Sequence, residues 1–370
     1  MKSIFPASLK MLLLCALLLG QSCQKEDNNA PSYDIPNDYS FENVNYSGQT
    51  QRLAMFLELK SYMGTAKTQG VALDATKLKA MYANDSANAG WTNAYDSSKQ
   101  LKNKTFTIVQ NTFDALFDQL ALASQSTKPG AEGQAGVVSD LDGSKRYLLG
   151  SNGLDHAQLI EKGLMGACLY YQATAVYMGA DKMNVDNETV SPGEGTAMEH
   201  HWDEAFGYFG VPTDFPSTKD GLLFWGSYSN QRDAVLGSNA LLMNALIKGR
   251  AAISHKDLAT RDEAITEAQE IWELISVGSA IHYINETLDH FDDMAIRGHA
   301  LSEGIGFAYS LQFNPNKKIT NSQITNILTL MGGADVFDEM NLYQADQSKL
   351  QEAKDLLANY YGLGDKKDDF

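Results

Sequence analysis

The segment LDHAQLIEKGLMGACLYYQATAVYMG, residues 154–179, is apolar nearly all round. A helix hydrophobic on every face must be buried on every face, so it can only be the centre of something larger. The rest of the chain supplies a jacket of the right kind. QRLAMFLELKSYMGTAK from Gln51 places Leu53, Phe56, Leu57, Leu59 and Met63 close to helical spacing, and FTIVQNTFDALFDQLALAS (106–124) repeats the pattern. Long helices are predicted over 261–291 and 293–313, and a last one over 348–363 with a glycine stop. Residues 125–146 read as a Gly/Ser-rich loop, and YLLG (147–150) is too short a strand signal to alter the class. The expected fold is all-α.

The 370 residues suffice for one large domain or two modest ones, and the composition is that of a globular chain. A formal net charge of −17 repels nucleic acid and anionic lipid, and is compatible with a cation or metal ligand.

The N-terminus reads as an export signal. Lys2 and Lys10 precede MLLLCALLLG, which is too short to span a bilayer, and QSC ends at Cys23. A cysteine directly after such a core resembles a lipoprotein signal, which makes Cys23 the expected lipidation site and 1–22 the removed peptide. The QKEDNN that follows resembles a surface-export signal, and residues 23–48 are expected to be a flexible tether. The domain is expected over 49–365. A mature chain would hold only Cys23 and Cys168, which excludes a disulfide framework and a cysteine metal site.

Chemistry concentrates in TAMEHHWDEAFGYFG (196–210). Thr196 and Glu199 have capping-box spacing, and Pro212 closes the helix beyond Gly210. His200 and His201 lie four and three residues before Glu204, so both imidazoles neighbour its carboxylate, while Asp203 is expected to point into solvent.

There is also an internal echo. LGSNGL (149–154) returns as LGSNAL (236–241), IEKG (160–163) as LIKG (246–249), and His200-x-x-x-Glu204-x-x-Gly207-Tyr208 as His299-x-x-x-Glu303-x-x-Gly306-Phe307. Residues 147–235 and 236–315 therefore read as two copies of a helical unit about a pseudo-twofold axis. Their His–Glu pairs are expected to face a shared region.

His201-Trp-Asp-Glu204 followed by AFGYFG resembles the His-x-x-Glu signature of imelysin-like proteins, and YSFENVNYSGQTQRL (39–53) resembles the start of an uncharacterised, imelysin-related lipoprotein family. The family motif has glycine two positions before its histidine, where this chain has Glu199. The resemblance implies an exported, duplicated helical bundle associated with iron uptake, in a family once classed as peptidases. It carries over His201 and Glu204, whereas the internal echo singles out His200.

Imidazole with carboxylate suits iron or zinc, and helical bundles build such sites from inward-facing Glu and His. The candidate metal ligands are thus His200, His201, Glu204, His299 and Glu303, for iron, haem or zinc. A buried His–Glu pair also satisfies itself without metal. His282, Glu286, Asp289, His290, Asp293 and Arg297 form a polar stripe, either a wet helix face or a second shell around His299 and Glu303.

Hydrolase signatures are missing. There is no H-E-x-x-H, no G-x-S-x-G, and Cys168 sits among apolar residues. Trp202, Tyr208, Phe209, Phe224 and Trp225 could line a groove but match core positions equally. The expected role is a surface or outer-membrane lipoprotein that binds iron, haem or another metal and passes it to an outer-membrane uptake partner. A metal-dependent peptidase and a metal-free protein-binding module are the alternatives.

Overall fold

The computed structural model describes residues 31–370. The expected signal peptide, Cys23 and the first part of the tether lie outside the described residues. No helix among them is long and apolar enough to cross a membrane. Residues 35–370 form one unit.

The unit is predominantly helical. In chain order it comprises α1 (Ser47–Gly64), α2 (Ala75–Ala83), α3 (Gln110–Ser124), strands β1 (Gly136–Ser139) and β2 (Arg146–Leu149), and α4 (His156–Leu164). There follow α5 (Ala180–Met183), α6 (Ala197–Gly207), α7 (Trp225–Leu236), α8 (Ser238–Ser254), α9 (Leu258–Asp289), α10 (Met294–Ser310), α11 (Asn321–Gly332) and α12 (Gln347–Tyr361).

The apolar segment is central, as its composition requires, but it is not an ordinary helix throughout. After Leu164 the chain continues as π-helical turns over Met165–Tyr170 and Gln172–Tyr177. Wider π turns rotate the side chains that follow, and such turns gather at functional positions. Here they carry Tyr177 round to Glu204.

The 32-residue α9 spans about 48 Å and packs against α7, α8, α10 and α12. Other close pairings include α4 on α10, α11 on α12 and α6 on α8. The first is possible only because Gly306 has no side chain. A Cβ there would lie 2.5 Å from Lys162 Cβ. Trp202, Trp225 and Trp272 fill the centre, and the indoles of Trp202 and Trp225 donate to the carbonyls of Leu246 and Met165 at 2.9 and 2.8 Å. Tyr208, Phe209 and Phe224 are buried with them, so the aromatic residues near the motif are core and line no groove.

Two expectations change. The loop over 125–146 contains half of an antiparallel hairpin, with Gly136 opposite Leu149 and Ser139 opposite Arg146. Each strand is four residues long, too short to leave a period-two signature. The tether is not free along its whole length either. Tyr39 is buried, its ring stacks on Phe206 at 3.8 Å, and Tyr39 N donates to Thr213 O.

Candidate functional site

The helix α6 begins where its sequence says it should. Thr196 Oγ1 accepts from Glu199 N, and the Glu199 carboxylate accepts from Thr196 N, closing a capping box. From that start the 3.6-residue period groups 200, 201 and 204 on one face and turns Asp203 onto a flanking one.

Glu204 is the hub of the first face. Its Oε1 accepts from Gln49 Nε2 of α1 and from the Tyr177 hydroxyl, each at 3.0 Å. Its Oε2 lies 3.1 Å from His201 Nδ1 and 3.9 Å from His200 Nε2, so His201 makes the hydrogen bond and His200 only a longer electrostatic contact. Burial works against ionisation of Glu204. The hydrogen bonds from His201 and Gln49, the neighbouring His200 and the Tyr177 hydroxyl outweigh it and hold the carboxyl at about 2. An ionised carboxylate only accepts, so His201 Nδ1 is the donor, and in a neutral ring Nε2 keeps the lone pair. Lys104 Nζ, 3.1 Å from the Tyr177 hydroxyl, adds a cation behind that tyrosine. Its own pKa is lowered by burial and by Arg52, against the pull of Glu204. His200 Nδ1 is buried and has no hydrogen-bond partner.

Asp203 corrects an expectation. It is fully buried rather than solvated. Its Oδ1 accepts from Arg250 Nε of α8 at 2.9 Å and from the Tyr39 hydroxyl at 2.8 Å. Arg250 also donates through Nη1 to Glu199 Oε1 at 2.7 Å. Burial pushes the Asp203 carboxyl up to about 6, against the pull of Arg250 and Tyr39. The second face of α6 is therefore an ion-pair seam, clamping α6, α8 and the residues before α1.

His299 and Glu303 do not join Glu204. They belong to a second cluster under α4. His299 Nδ1 pairs with Asp155 Oδ2 at 2.9 Å, its ring stacks on Tyr147 at 3.8 Å, and its Nε2 is 3.8 Å from Glu303 Oε1. Glu303 lies 3.4 Å from Lys162 Nζ, which is 2.8 Å from Glu161 Oε1, and Lys60 Nζ of α1 reaches the same oxygen at 2.7 Å. Gln49 and Lys60, which serve the two clusters, are eleven residues apart on α1, about 16 Å along its axis. Burial alone would depress the Lys162 ammonium. Glu161, Glu303 and Tyr283 outweigh it and raise its pKa. Counter-charge for Glu303 is thus built into the chain.

The polar stripe divides between two helices. Asp293 caps α10 by accepting from Ala295 N and Ile296 N, and its other oxygen accepts from Leu141 N. His290 is exposed. His282 is part-buried, and burial with Arg232 lowers its pKa. The residue that holds His299 is Asp155, the N-cap of α4, which has no place in the stripe.

Among the described residues, no three His, Cys, Asp or Glu side chains stand arranged as a metal-binding group. Sequence reasoning missed Gln49, Tyr177 and Lys104. Gln49 and Lys104 come from distant segments, and Tyr177 is brought round by π turns that no periodicity announces.

Residues 33–363 match the family described as a domain of unknown function, DUF4856. The chain belongs to that family. No curated protein and no solved structure matches it.

Proposed function

We propose that this member of the DUF4856 family is an exported lipoprotein, anchored through Cys23 at the outer membrane or cell surface, that binds a metal cation at His200, His201 and Glu204 for uptake. The observation that carries this reading is the convergence on Glu204. Gln49 and Tyr177 occupy one carboxylate oxygen, and the other faces two part-exposed imidazoles. A carboxylate that holds a histidine by its Nδ1–H orients the Nε2 lone pair, the arrangement that supports metal-bound histidines. The donor chemistry suits zinc or iron. Closing around an ion requires His200, whose ring nitrogen lacks a partner, to swing towards His201 Nε2 or Glu204 Oε2. The likeness to imelysin-like proteins and the echo between 147–235 and 236–315 belong to the same proposal. It is supported by the packing of α4 on α10 and α6 on α8, each pairing a helix of one unit with a helix of the other. Within it Glu204 rather than Glu303 is the metal residue, because Lys162 already neutralises Glu303.

The test is elemental analysis of the chain from residue 24 onward, after incubation with zinc or ferrous iron. About one ion per chain is expected in the wild type, none in Glu204→Gln, and no change in Glu303→Gln. Equal metal in wild type and Glu204→Gln overturns the proposal.

A further inference from the structure

The LGSNGL motif has no part in the Glu204 site, yet its two occurrences are used differently. In the later copy the polar atoms are consumed internally. Ser238 Oγ donates to Ser229 O, Asn239 N to Asp233 Oδ1, and Ser229 Oγ to Asn239 Oδ1. In the earlier copy Ser151 is exposed and Asn152 part-exposed. Gly150, Ser151 and Asn152 form one wall of a cavity of about 250 Å³. Gln119 and Leu122 of α3, His156 at the start of α4, and Asp338 line it too, with Ala123 and Ala135.

His156 is the informative residue. It is 5% exposed, it borders the cavity, and its Nδ1 has no hydrogen-bond partner. The ring sits there because residue 150 is glycine. A Cβ on Gly150 would lie 2.4 Å from His156 Cε1. Burial pushes the imidazole down to about 4, against the pull of Asp155 and Asp338, so the ring is neutral near pH 7. A neutral imidazole offers one donor and one acceptor.

The other polar groups match this mixture. Asp338 accepts from Gln119 Nε2 at 2.5 Å on one oxygen. Asn152 Oδ1 accepts from Leu154 N, which leaves its amide N–H groups as donors. An anionic ligand would meet the Asp338 carboxylate. A cation would meet that one carboxylate beside amides and a neutral ring. Vicinal hydroxyls donate and accept at once, as this lining requires, and Leu122, 70% exposed, adds an apolar wall. The space exceeds a few waters at about 30 Å³ each and lies just under the ~300 Å³ where drug-sized sites begin.

We propose that this cavity binds a neutral polyhydroxylated ligand of monosaccharide size, with His156, Asn152 and Asp338 hydrogen-bonding its hydroxyls and Leu122 lying against a C–H face. The site is independent of the metal reading.

The test is saturation-transfer NMR on the purified chain with glucose, galactose, mannose and N-acetylglucosamine at millimolar concentration, with histidine ring-proton shifts followed in parallel. At least one sugar is expected to receive saturation and to move one histidine resonance. Asp338→Ala, a change at an exposed position, should weaken that binding roughly tenfold, the effect of one lost charged hydrogen bond. His156→Phe should abolish it while the far-UV circular dichroism stays native, and Glu204→Gln should leave it intact. Transfer to none of the four sugars overturns the proposal. So does undiminished transfer in Asp338→Ala, which keeps the test decisive if His156→Phe does not fold. A histidine resonance that moves with zinc and not with any sugar would make the cavity a metal site instead.

Discussion

Replacing Arg250 by methionine should be among the most damaging single changes in this protein. Arg250 is buried, and its Nε donates to Asp203, a fully buried carboxylate whose remaining partners are the Tyr39 hydroxyl and a 3.4 Å contact from Asn45 N. Methionine keeps the apolar stem and removes the charge. Breaking a buried pair from one side typically costs about 3–5 kcal/mol, because the surviving charge is left uncompensated. Unfolding entropy near 2.1 cal/mol/K per residue, over a unit of this size, gives roughly 0.7 kcal/mol per degree, so the melting temperature should fall by about 4–7 °C. The effect should depend on pH, and the sign follows from Asp203. Its folded pKa of about 6 is above its ordinary value, so the folded state gains from protonation as pH falls. Losing Arg250 raises that pKa further. The penalty of Arg250→Met should therefore be largest near pH 8 and shrink towards pH 5, where a neutral Asp203 no longer needs the guanidinium. Differential scanning calorimetry of wild type, Arg250→Met, Asp203→Asn and the double variant at both pH values checks this. Asp203→Asn should make the second change much cheaper. A melting shift under about 1 °C at pH 8, or the same shift at pH 5, would refute the buried-pair account.

Other outcomes follow from the same geometry. Glu204 is held at about 2 against burial, so its stabilisation is complete above its ordinary 4.5 and is lost as pH falls towards 2. After discounting for its partial exposure this amounts to roughly 2 kcal/mol, and Glu204→Gln should flatten that acid limb in urea titrations. Gly306→Ala should force α4 and α10 apart, since the new methyl would meet Lys162 Cβ and approach Gly163 N at 3.3 Å. Overpacking of this kind costs about 1–3 kcal/mol, readable as a lower denaturation midpoint. Cys168 is buried, and burial pushes its thiol up to about 12. A chain from residue 24, in which it is the only thiol, should react with a thiol reagent no faster than it unfolds.

The helices legible in the sequence were those with either a strong stripe or a strong stop. The α9 and α12 spans lie close to the predicted 261–291 and 348–363, and α6 starts at the capping box that Thr196 and Glu199 announce. Helices such as α7 and α8 lacked the stripe, although Gly237 stops α7 in a left-handed turn. Gly237 alone separates them, and α8 buries so many of its positions that no stripe stands out. Asp203 was misread because local spacing reports which residues share a face but not what lies opposite. The partner that buries it, Arg250, is 47 positions away. The same limit applies at Glu204. His201 is visible at i−3, whereas Gln49 comes from 155 residues earlier and Tyr177 depends on the register of the π turns.

The two His-x-x-x-Glu pairs show why a sequence echo does not imply equal chemistry. His200 Nε2 is 3.9 Å from Glu204 and His299 Nε2 is 3.8 Å from Glu303, so the local spacing gives the same geometry twice. What differs is what each carboxylate meets from other elements. Glu303 meets the Lys162 ammonium, and His299 is tied to Asp155 and covered by Tyr147. Every charge there has a partner within the chain. Glu204 meets an amide and a phenol, which donate hydrogen bonds without cancelling its charge. An ionised carboxylate stabilised by neutral donors retains its attraction for a cation, whereas one paired with a buried lysine has spent it. The position that replaces Glu303 chemistry with Glu204 chemistry is therefore Lys162, on a helix that carries neither glutamate.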